Sequence, residues 1–328
     1  MNSGSGLGNL THFLNCQSVL FQMIEIVNLS RHFGQLTAID DISFTVQAGE
    51  ILGFLGPNGA GKSTTMKMIT GFLAPSSGSI SVCGFDIGTH TIEAQKRIGY
   101  LPEGAPCYED MNPLQFLEFI AEIRGLGTEK QQSVARVVTT MGLESVLTQK
   151  IETLSKGFKR RVGLAQALIH NPEVLILDEP TDGLDPNQKH HVRNMIRGLS
   201  KDKIVIISTH ILEEVTAVCT RAAIIANGRI VSDCSPAELE AKSRYAHAVT
   251  LHLTEKQSVE TKLSELPGVS EVEVSEDGTL LTVLTQGGQS IYEQVSELAR
   301  QESWQVDALY VERGRLDEVF RKITEEAV

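Results

Sequence analysis

No stretch of this 328-residue chain holds the roughly 18 to 20 consecutive apolar residues that a membrane helix requires. Anything it does at a membrane therefore has to go through a partner, without direct insertion. Positive charge is scarce too. A formal net charge of −12 argues against a general binder of nucleic acid or anionic lipid, since either favours a basic patch. The five cysteines (16, 83, 107, 219 and 234) are odd in number and never spaced C-x-x-C. They read as reduced cytosolic thiols and not as a disulfide frame or a zinc site. Residues 1–22 contain no Lys or Arg, so they lack the positive region of a signal peptide. Their Gly/Ser/Asn-rich opening reads as a disordered leader. The first alternating strand pattern begins at Met23, which is the expected natural start. What remains is an ordinary globular composition, 41% hydrophobic and 21% charged, in a chain long enough for more than one domain.

Against that background, two short runs carry chemistry. Gly56-Pro57-Asn58-Gly59-Ala60-Gly61-Lys62-Ser63 fits the phosphate-loop pattern at every defined position, between a strand-like Ile51–Leu55 and a helix-like Thr64–Thr70. Its glycines let the backbone wrap phosphates, so that several N–H groups point inward at the positive end of a helix. Lys62 is the point charge for the β- and γ-phosphates, and Ser63 the hydroxyl ligand for Mg²⁺. Downstream, Val174–Leu177 reads as a buried strand delivering Asp178 and Glu179 to a sheet edge. Asp178 would complete the magnesium shell through water, and Glu179 would polarise the attacking water near the γ-phosphate. A glycine-rich turn with a surface acid pair is the bland alternative for either run alone. The two in order predict a nucleoside triphosphatase.

Leu154-Ser155-Lys156-Gly157-Phe158 separates this chain from other phosphate-loop proteins. Together with the two runs above it resembles the ATP-binding cassette (ABC) family, from about Met23 to Glu240. The resemblance implies a P-loop α/β cassette with a mixed sheet, ATP and Mg²⁺ as ligands, and a dimer of two copies. In that dimer Ser155 and Gly157 would reach the γ-phosphate held by the partner's phosphate loop, which includes Thr64. Lys156 and Phe158 replace the family's usual glycine and glutamine. Thr181–Pro186 resembles the segment that passes between subunits, with Asp182 where Ser is common. His210, after the strand-like Ile204–Thr209, matches the switch histidine, and Phe33 matches the aromatic that stacks on adenine. Glu103 stands at the position of a glutamine that links magnesium to the helical subdomain; a carboxylate still accepts from water or binds metal but loses the amide's donor.

The cassette is expected over 23–240, with its helical subdomain at about 104–158. Asn112-Pro113 supplies an N-cap and an N1 proline, Gly125 a C′ glycine, and Glu129–Met141 is amphipathic. Asn227-Gly228 marks a hairpin turn. Over 245–328 the phosphate motifs stop. Strand patterns at Ala248–Leu253, Ser270–Val274, Leu280–Leu284 and Gln305–Val311 interleave with helical segments near 256–265 and 289–301, before a short helix at Leu316–Thr324. That β-α-β-β-α-β order predicts a small α+β ferredoxin-like domain, which resembles the accessory domain of one-cassette exporter subunits. No catalytic cluster falls within it. His190 and His191 read as a solvated helix face. Function then divides two ways. One is the ATP-hydrolysing subunit of an exporter, held at the cytoplasmic face by a separately encoded permease. The other is a soluble ABC ATPase acting on ribosomes or DNA, whose usual second cassette, coiled-coil insertion or zinc cysteines are missing here. The substrate would be chosen by the permease.

Overall fold

The computed structural model of the protein describes residues 23–104, 107–286 and 289–326. The leader expected over 1–22, and Cys16 within it, lie outside those residues. Two compact units divide at Cys234.

The first unit opens with β1 (Met23–Phe33) and β2 (Leu36–Gln47), antiparallel and joined across Gly34-Gln35. Burial alternates along both strands, so Ile24 and Ile26 face the same core as Ile42, Phe44 and Val46. That is the period-two pattern of a sheet covered on one side. Next, β3 (Ile51–Leu55) runs into the glycine-rich loop, and α1 (Lys62–Ile69) leaves it. β4 (Ser77–Val82) and the two-residue β5 (Phe85–Asp86) complete the first sheet in the order β2-β1-β4-β5.

The second sheet carries the site. After α2 (Thr91–Arg97) come β6 (Ile98–Leu101), the helices α3 (Pro113–Ile123), α4 (Lys130–Met141) and α5 (Lys156–Leu168), and then β7 (Val174–Asp178). α6 (Pro186–Leu199), β8 (Ile204–Thr209), α7 (Leu212–Val218), β9 (Arg221–Ala226) and β10 (Arg229–Cys234) follow. The strand order is β10-β9-β3-β8-β7-β6, and the pairs from β9 to β6 are all parallel. Every residue of β3, β7 and β8 is buried, as expected of strands covered on both faces. A fully buried Ile or Leu in such a strand contributes about 1.5–3 kcal/mol over an exposed one. Parallel strands all end at one edge, so the residues after β3, β6, β7 and β8 meet there. Open α/β sheets bind their ligands outside that carboxyl edge.

Helices α3, α4 and α5 pack pairwise into a helical layer. Asn112 caps α3 through a reciprocal box with Gln115 and Pro113 occupies the first turn, while Gly125 turns left-handed just past its end.

The second unit begins with α8 (Pro236–Ala241), capped by a Ser235–Glu238 box. β11 (Val249–Leu253), α9 (Glu260–Ser264), β12 (Val269–Val274), β13 (Leu280–Thr285), α10 (Tyr292–Gln301), β14 (Val306–Val311) and α11 (Leu316–Glu326) follow. The four strands form an antiparallel sheet in the order β12-β13-β11-β14. Its core gathers Val249, Leu251, Leu263, Val283 and Val295. α8 packs on α11 within this unit, which is why the division falls at Cys234, before α8, although the expected cassette extended to 240.

Candidate active site

The loop between β3 and α1 sets the geometry. Gly59 and Gly61 have φ of +80° and +111°, a region that costs an L-residue energy and glycine little. A Cβ on Gly61 would also come within 2.4 Å of the Ile39 side chain. The hairpin turn between β9 and β10 braces the loop: the Gly228 N–H donates to the Ala60 carbonyl at 3.1 Å, and the Asp40 N–H to the Gly228 carbonyl at 2.9 Å. Inside the loop Lys62 is buried, and its ammonium donates to the carbonyls of Gly56 (2.7 Å) and Pro57 (3.2 Å). Burial pulls the Lys62 pKa below that of a free lysine, while Glu179, Asp178 and Glu103 push it back up. A ligand bearing negative charge would satisfy that ammonium better than two neutral carbonyls.

One cleft of about 600 Å³ brings together Phe33, Asn58, Gly59, Gly61, Lys62, Ser63 and Thr64 with Glu103 and Glu179. Phe33 is 44% exposed and forms part of its wall, with the Arg31 guanidinium 4.6 Å from the ring centroid. Leu36, Thr37, Asn227 and Gly228 also line it, and the sequence reading singled out none of these four as ligand residues. Gly56, Pro57 and Ala60 shape the loop from behind, without a place on the cleft wall. Asp178 does not reach that wall either. It is 1% exposed and accepts from the Ser208 hydroxyl, so any contact with a cation in the cleft runs through water.

Glu179 is the most constrained residue of the site. Its φ of +50° is left-handed, a conformation that costs a non-glycine residue on the order of 1–3 kcal/mol and persists only where the surroundings enforce it. Two contacts do so. The Glu179 N–H donates to the Ser208 carbonyl at 3.0 Å, and the Arg160 guanidinium donates to the carbonyls of Glu179 and Pro180. The His210 ring donates from Nδ1 to Glu179 Oε1 at 2.9 Å, the tautomer that an acceptor-only carboxylate requires. Glu179 Oε2 is buried with no protein partner. A carboxylate held this way, half satisfied at a cleft wall, is built to take a proton or orient a water.

Arg160 was missed by the sequence reading. The signal was present: Gly157, Arg160, Leu164 and Ala167 fall at helical spacing on the buried face of α5, so an arginine stands in an apolar stripe.

Ser155 and Gly157 do not line the cleft. Ser155 is exposed and caps α5, accepting from the Phe158 N–H at 3.3 Å. Gly157 is buried against α6, where an added Cβ would come within 2.4 Å of the Gln188 amide group. Both therefore have structural duties within one chain. His190 and His191 are exposed on α6, and Cys83 and Cys219 are buried, with burial pushing each thiol up to about 12.

The donors near Lys62 are all oxygens, from Ser63, Asp178 and Glu103, a set suited to a hard divalent cation and not to zinc. Among the described residues no three His, Cys, Asp or Glu gather into a metal cage. Magnesium takes one or two carboxylates plus substrate phosphates in preference to such a cage, so the set fits.

Residues 39–182 match the family model described as "ABC transporter". The linearmycin resistance ATP-binding protein LnrL of Bacillus subtilis is 39% identical over 212 residues, covering 64% of this chain and 68% of its own. Nod factor export ATP-binding protein I of Paraburkholderia xenovorans is 31% identical over 304 residues, 92% of this chain and 96% of its own. Among solved structures, one described as the ATP-binding subunit of an ABC transporter superposes with a TM-score of 0.62 at 29% identity, covering 67% of this chain and 92% of the other.

Proposed function

Because the chain belongs to the ATP-binding subunits of ABC transporters, we propose that its cleft holds ATP with Mg²⁺ and that Glu179 drives the hydrolysis. The protein is an ATPase coupled to transport. One observation carries the site assignment: the buried, half-satisfied Glu179 carboxylate, bonded to His210, on the wall that Lys62 and Ser63 share. Phe33 stacks on the base and selects a flat ring. Lys62 trades its loop carbonyls for the β- and γ-phosphates, which the amides around Gly59–Thr64 cradle. Ser63, Glu103 and, through water, Asp178 would hold Mg²⁺, which neutralises phosphate charge when bound. Glu179 takes the proton of the attacking water, and His210 orients Glu179 and meets the γ-phosphate. Stacking predicts that Phe33→Ala raises the KM for ATP by about tenfold at little cost to kcat, as base–aromatic stacking is worth about 1–3 kcal/mol. A proportional fall in kcat at constant KM would contradict it.

Ser155 and Gly157 act in trans, completing the site of a second copy in an ATP-sandwich dimer; their absence from their own cleft supports this reading. The permease is a separate membrane protein, and it holds the subunit at the cytoplasmic face. It docks on the hollow of about 550 Å³ between α1 and the helical layer, lined by Phe72, Tyr108, Phe116 and Ile120. Phe72, 72% exposed beside that hollow, argues for a covering partner. Export is the direction favoured, given the exporters among the relatives and the second unit, which we read as ferredoxin-like from its element and strand order. Phe72→Asp and Tyr108→Asp are expected to abolish transport while ATP affinity stays within about twofold, since both line this hollow and neither touches the nucleotide cleft. Tagged protein drawn from membranes is the deciding experiment. Recovery of a polytopic membrane protein supports the assignment, and recovery of ribosomes or DNA without one overturns it.

A further inference from the structure

Arg31 is a cation beside the nucleotide cleft that none of the roles above uses. It stands two residues before Phe33 on β1, and alternate residues of a strand share a face. The pairing of β1 with β2 shifts register on both sides of Arg31, and bulges of this kind re-aim side chains next to active sites. The guanidinium carbon lies 4.6 Å from the centroid of the Phe33 ring. Arg31 Nε, one bond from that carbon, is buried with no hydrogen-bond partner. A buried N–H without an acceptor is costly, and the negative face of the ring is what offsets the cost here.

The far end of the guanidinium is tied down. Its Nη1 donates to the Ala74 carbonyl at 2.8 Å. Ala74 opens the segment 74–76 between α1 and β4, and both neighbours of Arg31 hold the same segment. The Ser76 N–H donates to the Ser30 carbonyl at 2.8 Å, and the His32 N–H donates to the Ser76 hydroxyl at 3.0 Å. Three successive residues of β1 therefore grip one short segment, which fixes where the guanidinium lies. A planar guanidinium stacks and hydrogen-bonds at once, whereas a lysine ammonium has no plane to stack. Phe33 lines the cleft and Arg31 does not. The cation covers one face of the ring, and the cleft has the other.

We propose that Arg31 is the positioning residue for Phe33: anchored on Ala74, its guanidinium fixes the ring so that the opposite face meets the adenine of ATP. This rests on the assignment of Phe33 above. Phe33 is 44% exposed, and an unheld ring would lose its side-chain freedom only when the base docks. A ring fixed beforehand has less to lose, so the gain falls on affinity and not on the chemical step.

The test is a double-mutant cycle on the full chain, read as calorimetric affinity for ATP–Mg²⁺ beside kcat and melting temperature. Tripolyphosphate with Mg²⁺ serves as the ligand that has no base to stack. Arg31→Ala is expected to weaken ATP binding by about threefold, in the range of an exposed cation–π contact, with kcat at saturating ATP and the affinity for tripolyphosphate unchanged. In the double variant with Phe33→Ala, the Arg31 substitution should cost nothing further, since residues acting as one unit are not additive. Arg31→Lys returns a cation to the ring and should bind ATP more tightly than Arg31→Ala. Arg31→Met returns only an apolar stem and should stay weak; it also carries the cycle if Arg31→Ala does not fold. The proposal is overturned, with Phe33 left in its role, by unchanged ATP affinity in Arg31→Ala, by an equal loss toward tripolyphosphate, or by a full multiplicative loss in the double variant. A Lys variant no tighter than Ala, or a Met variant that binds like the unsubstituted chain, overturns it too. Unchanged ATP affinity in Phe33→Ala alone overturns both assignments.

Discussion

Glu179→Gln should bind ATP as the unsubstituted chain does and fail to turn it over. The amide fills the same space and still accepts through one oxygen, so the left-handed turn held by Ser208 and Arg160 is kept. What disappears is basicity at the atom now buried without a partner, Oε2. General-base catalysis is worth about two to four orders of magnitude, and the fall in phosphate release should lie in that range. In the ATP-sandwich dimer proposed above, opening follows hydrolysis, so an ATP-bound dimer should accumulate, visible as a shift in size-exclusion elution that depends on ATP and Mg²⁺. Near-normal steady-state ATPase activity would remove Glu179 from the mechanism. The companion substitution His210→Ala should leave the carboxylate basic but unaimed, so a smaller loss is expected from it.

Much of this site was legible because its requirements are local. A phosphate loop needs glycines at set positions, a lysine and a hydroxyl, and nothing distant changes that need. The buried strands β3, β7 and β8 announced themselves as short apolar runs, β3 ending at the glycine-rich loop and β7 and β8 in polar residues. Their parallel pairing brought Lys62, Glu179 and His210 to one edge, as their order along the chain led one to expect. Helix caps were equally plain, as Asn112, Pro113 and Gly125 illustrate.

The features that escaped are those fixed by tertiary contact. The positive φ of Glu179 has no sequence signature, because Glu is a poor choice for that conformation and only Arg160 and Ser208 make it tolerable. Arg160 looked like one of three adjacent basic residues, Lys159 to Arg161, until α5 turned it inward. Glu214 looked like half of an acidic pair at a helix start, where carboxylates are favoured by the dipole and usually solvated. Its neighbour Glu213 behaves that way, exposed and paired with Arg193. Only the packing of α7 against the sheet distinguishes the two. The distance of Asp178 from the cleft wall belongs to the same class: Asp178 ends β7 buried against Ser208, while Glu179, just past the strand, turns left-handed and reaches the cleft.

Lys62→Ala separates nucleotide binding from fold stability. In the ATP-free protein the ammonium is buried on two neutral carbonyls, with burial lowering its pKa and three carboxylates only partly offsetting that loss. Deleting a charge so placed removes an interaction and a desolvation cost together, so the melting temperature of the free protein should change little. With ATP present the balance differs, since the same ammonium then meets phosphate oxygens. A hydrogen bond to a charged group contributes about 1.5–3 kcal/mol, so affinity should fall by about ten- to a hundredfold. Ligand-induced stabilisation scales with the logarithm of ligand concentration over Kd, so the rise in melting temperature given by saturating ATP–Mg²⁺ should shrink accordingly. Turnover should fall as well, because the charge also opposes the negative charge that develops on the γ-phosphate. Calorimetric titration of the variant with ATP–Mg²⁺, read beside its melting curve, checks both halves. An unchanged affinity would mean that Lys62 holds the loop and not the nucleotide. A collapse of the free protein's melting temperature would mean that the Gly56 and Pro57 contacts are what the lysine is for.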